Sequence, residues 1–288
     1  MYAGQSGPCA TCGRMITVPE AGAGTPTVVQ RAAKAGLSLS SVGLLVGVVV
    51  GSLAIGTLVI GVVVAILAPA VHAARSTSLK VKSAENLQLI AQAMQQYHSE
   101  HGSYPPAYLT DDKGKPMHSW RVLLLPYLGQ RQLYQQYDMN QPWDSPTNMA
   151  LVSRMPGVFT SPGDQSSVAS YETSYVVIVG KGTIFPGSKS LNMNQVSDGL
   201  PTTLLVVEST ESGICWMEPK DLEAGKMEYA INGPAANGIR SHHPYGAQAV
   251  FADAKTHFLT NDLPPEYVEA LTTAANQDHA PLEVLGEE

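Results

Sequence analysis

The stretch SHHPYGAQAVFADAKTHFL, residues 241–259, holds His242, His243, Asp253 and His257. Imidazoles and a carboxylate this close in sequence could bind a metal, exchange protons with a substrate, or serve a local fold as hydrogen-bond partners. No other part of the chain is as dense in side chains of this kind. The pattern favours the third use. Apolar and polar residues alternate loosely around Asp253-Ala254, which marks a β-hairpin, and an Asp at a turn accepts hydrogen bonds from the backbone that follows it. On this reading His243, Asp253 and Ala254 are structural, and no catalytic residue is assigned. Catalysis or metal binding by His243 and Asp253 stands as the alternative, because strand geometry decides whether the two side chains meet.

Two other residue sets could carry chemistry. Cys9 and Cys12 form a C-x-x-C-G knuckle. That spacing points two thiolates at one ion, and structural zinc takes four ligands. The chain has no second pair, so no cofactor is expected of it alone. Zinc at Cys9 and Cys12 would need another segment or chain to complete the site. Cys215 is the one cysteine of the main body, which therefore holds no disulfide of its own. Trp143, in QPWDSPTN, and Trp216, in CWMEPKDL, could line a ligand groove, although a Trp that pins a loop or core is the commoner case. The motifs G-x-G-x-x-G, G-x-S-x-G, H-E-x-x-H and the Walker loop are all absent, and no enzyme activity is expected.

The elements that must position these residues fall into unlike parts. Residues 35–71 contain no charge, and their centre reads SSVGLLVGVVVGSLAIGTLVIGVVVAILAPAV. About 20 apolar residues suffice for a membrane-spanning helix, so residues 37–71 are assigned as a single span. A cleaved signal peptide ending at Val71-His72-Ala73 is the competing reading, but a signal's apolar core is shorter and starts nearer the N-terminus. Gly47 and Gly51 form a G-x-x-x-G that would let helices pack closely. Pro69 would kink the exit. Residues 21–36, AGAGTPTVVQRAAKAG, read as a linker. The first 74 residues carry Arg14, Arg31 and Lys34 against Glu20, whereas the chain as a whole has a net charge of −7. The body after the span is therefore acidic, which argues against a nucleic-acid partner.

After the span comes SAENLQLIAQAMQQYHSEHGSYPP. Leu87, Ile90, Ala91, Met94 and Tyr97 recur at helical spacing. Ser83 would cap a helix restarting there, Gly102 suits its end, and Pro105-Pro106 block continuation. TSYVVIVG and PTTLLVVES read as strands. Helical signals recur in WRVLLLPYLGQRQLYQQY and PPEYVEALTTAA. A long helix, then mixed material, then strands is an α+β order.

An apolar helix, its amphipathic continuation and Y-x-x-x-x-G-x-Y-P together resemble the N-terminal half of a type IV pilin or pseudopilin. More specifically, residues from about 75 to 283 resemble a planctomycete pilin-like family of unknown function with a C-terminal H-x9-DG signature. The resemblance is carried by NLQLIAQAMQQYHSEHGSYPP, SWRVLLLPYLGQRQLYQQYDMNQPWDSPTN, TSYVVIVGKGTIFPG, VSDGLPTTLLVVE, CWMEPKDL and the His243–Asp253 spacing. Residues 1–20 resemble the second half of a small zinc-ribbon module. The chain departs from true prepilins in having 35 or more residues before an apolar helix that contains no Glu, and it has Ala254 where the signature has Gly.

The resemblance implies a helix packed on an antiparallel sheet, with residues 75–288 outside the cytoplasm. The expected role is recognition or assembly at the cell envelope. Its partners would be the membrane and other envelope or pilin-like proteins. A solute-binding or transport-associated domain is the first alternative, and an enzyme or metal protein using His243 and Asp253 is the second.

Overall fold

The architecture is set by the spacing of residues along one helix. The computed structural model describes residues 6–8, 13–17 and 39–276. The chain divides into two units, Met1–Ala65 and Ile66–Glu288. In the first, β1 (Ser6–Pro8) pairs antiparallel with β2 (Met15–Thr17), placing Gly7 opposite Ile16. Cys9 and Cys12, the candidate zinc knuckle, lie outside the described residues, as does the linker.

Helix α1 runs over Leu39–His101. It is continuous through Pro69 and Ser83, so neither the restart at Ser83 nor its capping role is found. Among the described residues, one helix is long and apolar enough to cross a membrane, by length and composition. Val64, Ile66, Leu67 and Val71 are exposed along it. Further along, Leu87, Ile90, Ala91 and Met94 are fully buried. These positions follow the 3.6-residue period, so one stripe faces the core of the second unit. Ser83 and Asn86 continue that stripe with polar groups. The Ser83 hydroxyl bonds the Tyr175 hydroxyl at 3.0 Å, and the Asn86 amide donates to the Thr160 carbonyl at 3.1 Å. The helix ends at Gly102, which has φ +79° and donates its N–H to the His98 carbonyl. That is the left-handed cap glycine favours.

A hairpin follows, β3 (Tyr108–Thr110) with β4 (Pro116–Ser119). Short helices come next: α2 (Trp120–Leu123), α3 (Arg131–Gln136), α4 (Pro146–Met149) and α5 (Gln165–Ser170). The helical signal over residues 120–137 thus resolves into two pieces. Between them lie Pro126, which cannot donate within a helix, and Gly129, at φ +71°.

The strands expected in TSYVVIVG and PTTLLVVES are β5 (Tyr175–Val176), β6 (Ile178–Val179) and β7 (Leu204–Glu208). β6 pairs in parallel with β8 (Leu222–Glu223). The hairpin expected near the C-terminus is β9 (Gly246–Phe251) with β10 (Thr256–Thr260). The main sheet has the order β10-β9-β7-β5, antiparallel throughout. Leu205, Val206 and Val250 join the core that contains the α1 stripe. Val207, Ala249 and Phe251 face a second core with Val268 and Leu271 of α6 (Pro265–Thr272). Both faces are covered, so all six residues of β9 are buried. The second unit is therefore α+β, with an antiparallel sheet between α1 and α6.

Candidate functional site

The hairpin geometry decides the fate of the His–Asp stretch. His243 precedes the first residue of β9 and Asp253 follows its last. A six-residue strand, about 20 Å long, separates them, so they form no joint site. Asp253 sits in a three-residue loop. Ala254 N–H donates to the Phe251 carbonyl, Phe251 N–H donates to the Lys255 carbonyl, and the Asp253 carboxylate accepts the Lys255 N–H at 3.0 Å. Ala254 has φ +65°. The two-residue turn suggested by the D-G pattern is thus replaced by the longer loop, in which a left-handed residue closes the turn with a bulge. The sequence requirement for positive φ holds all the same. Tyr104 donates its hydroxyl to the Ala252 carbonyl at 3.0 Å and pins the loop. His257 lies on β10 opposite Ala249 and meets the Phe251 ring edge-on.

The stretch reaches a cavity through its N-terminal end and through Gln248 and Phe258, and Asp253 and His257 do not line it. Ser241, His242, His243 and Pro244 border a cleft of about 420 Å³. Its opposite wall is one side of α1, where Arg75 and Lys80 flank Ser76, Leu79 and Ser83. Glu208, at the end of β7, and Gln248, on β9, also line it. The Gln248 side-chain amide donates to the Lys80 carbonyl at 3.3 Å, which ties sheet to helix. Phe258 supplies an aromatic wall. Lys80 Nζ lies 3.8 Å from its ring centre, and the His243 ring meets it edge-on at 4.8 Å. Gly246 makes this packing available, since a β-carbon there would collide with the Leu259 carbonyl oxygen and stand 2.8 Å from the Phe258 ring.

The acidic groups of the cleft are already engaged. Glu208 is buried. Its carboxylate accepts the Ser161 hydroxyl at 2.6 Å on one oxygen and the Gln248 N–H at 3.1 Å on the other. Burial pushes this carboxyl up from its ordinary range, against those hydrogen bonds. Asp164, also fully buried, caps α5. It accepts from the hydroxyls of Ser166, Ser167 and Ser174 and from the N–H groups of Ser167 and Glu211. Burial alone would raise its carboxyl, but these donors outweigh it and hold the group at about 2. His242 Nε2 stands 3.5 Å from the same carboxylate, so Asp164 orients a half-exposed imidazole at the mouth of the cleft. Burial and then Lys80 push His243 below the ordinary histidine value.

The two tryptophans pack in or against the core of the second unit. Trp216 is fully buried, donates Nε1–H to the Val152 carbonyl at 2.9 Å and stacks near Phe159. Trp143 packs against the same core, its backbone N–H donating to the Met117 carbonyl. Neither lines the cleft. No group of three or more His, Cys, Asp or Glu is arranged to hold a metal among the described residues. What motif reading missed is the α1 wall. Extending the apolar stripe backwards from Leu87 by helical steps reaches Ser83, Leu79, Lys80, Ser76 and Arg75.

Residues 72–189, less than half of the chain, match the model of a family described as a protein of unknown function (DUF1559). The match takes in the α1 wall of the cleft together with Ser161 and Gly163, and it ends before His243 and Asp253. No curated protein and no solved structure matches the chain.

Proposed function

We propose that this chain is a single-pass membrane protein whose residues 75–288 form a pilin-like recognition domain outside the cytoplasm. The observation that carries the reading is α1. One unbroken helix exposes Val64, Ile66, Leu67 and Val71, and then buries Leu87, Ile90 and Met94 in the domain core. Exposed apolar side chains on a helix long enough to span are costly in water and favourable in a bilayer. The domain recognises its partner or solute through the cleft beside α1. The solute-binding alternative would use the same cleft.

Binding is favoured over catalysis at this cleft. The Ser161 hydroxyl donates to the buried Glu208, a contact that ties the loop before α5 to β7. Assembly with other pilin-like envelope proteins remains part of the proposal, supported by the resemblance of the helix and its continuation. Alkaline carbonate extraction of native membranes tests the anchor. The protein is expected in the pellet. Its release, or a mature fragment beginning near Ala74, would replace the anchor with a cleaved signal.

A further inference from the structure

We infer that the cleft beside α1 is a binding site for a small organic oxyanion, a carboxylate or phosphate carried on a short apolar body. The inference rests on the reading of this cleft as the recognition site, and it adds the ligand class.

The first argument is uncompensated charge. Arg75 and Lys80 line the cleft from α1, and neither has an ion pair among the described residues. Lys80 rests its ammonium on the Phe258 ring instead of on a carboxylate. His242 and His243 add two imidazoles from the opposite wall. The chain carries a net charge of −7, so a cleft that gathers cations runs against the average of its surface and would concentrate anions locally.

The second argument is that the acids nearby do not compete. Both oxygens of Glu208 are occupied by Ser161 and Gln248. Asp164 is buried and saturated by hydroxyl and N–H donors. Tyr175 stands behind Ser83 with its hydroxyl bonded to it. The free polar capacity of the cleft is therefore that of donors, with Arg75 and Lys80 foremost. The third argument concerns shape. Leu79, Pro244 and Phe258 supply apolar wall, and about 420 Å³ holds more than a bare inorganic ion.

A free solute and an anionic lipid headgroup share this chemistry, and the test separates them. The full chain is placed in nanodiscs of phosphatidylcholine and titrated calorimetrically with phenyl phosphate, benzoate and, as the uncharged control, benzyl alcohol. Saturable binding of an anion and none of benzyl alcohol is expected. Lys80→Gln or Arg75→Gln should weaken the anion about tenfold, the scale of one lost charge-assisted contact, while Lys80→Arg retains it. Adding phosphatidylglycerol to the discs leaves the titration intact if the ligand is a free solute, and abolishes it if a headgroup already fills the site. Equal binding of benzyl alcohol, or indifference to Lys80→Gln in a variant with unchanged thermal unfolding, overturns the anion assignment while leaving the cleft as a recognition site. Absence of saturable binding by every probe in phosphatidylcholine discs overturns both. Neither outcome bears on the membrane anchor, which carbonate extraction tests separately.

Discussion

At the scale of single residues, Ala254 and Asp164 carry the clearest energetic consequences. Ala254 holds a left-handed backbone at φ +65°, where a β-carbon costs on the order of 1 kcal/mol. Ala254→Gly relieves that strain and loses one partly buried methyl. It is expected to stabilise the domain by about 0.5 kcal/mol in chemical denaturation, and a loss of stability would mean that the turn is unstrained. Asp164 behaves oppositely to Glu208. Its folded-state value of about 2 lies below the ordinary 3.8. The stability it contributes is therefore complete above that ordinary value and is lost as pH falls through the folded one. The shift corresponds to about 2 kcal/mol. Unfolding temperatures should fall steeply as pH drops from about 4 to about 2, and Asp164→Asn should lower neutral stability while flattening that acid limb. The sequence announced the Ala254 turn because its chemistry is local to Asp253 and its neighbours. It could not announce Asp164, whose donors at Ser174 and Glu211, and whose neighbour His242, are assembled by the fold.

At the scale of elements, α1 and the β9–β10 hairpin were the most legible parts, and for different reasons. The stripe Leu87, Ile90, Ala91, Met94 has the helical period, and all four residues are fully buried. Ile90→Ala is expected to cost about 2–5 kcal/mol, the range for emptying a packed aliphatic site; a cost below about 1 kcal/mol, the scale of a surface change, would show that the stripe is not core. The hairpin was legible from alternation, but its loop length was not, since a bulged three-residue loop and a tight two-residue turn share the same D-G-like cue. Gly246 had no distinguishing local signal at all. Its requirement arises across the strand pair, from the Leu259 carbonyl and the Phe258 ring. Gly246→Ala should destabilise the hairpin and displace Phe258, with weakened protection of β9 and β10 amides in hydrogen exchange as the readout. The helical signal over residues 120–137 misled where apolar periodicity continued across Pro126 and Gly129.

At the scale of the whole molecule, the sequence separated an uncharged span from an acidic α+β body, and it did so because composition changes abruptly at Arg75. It did not reveal the cleft. The residues that line it come from α1, the loop before α5, β7, β9, β10 and the segment before β9, and only the fold makes them neighbours. Trp216 shows the converse, a residue whose chemistry suggested a groove and whose place is the core. The central claim is that the helix crossing the membrane is the helix on which an external recognition domain is built. Protease added to intact spheroplasts tests it most directly, with detergent-lysed spheroplasts as the control. The account predicts that residues 75–288 are digested before lysis while the N-terminal segment stays protected; full protection of the body, with cleavage only after lysis, would contradict it.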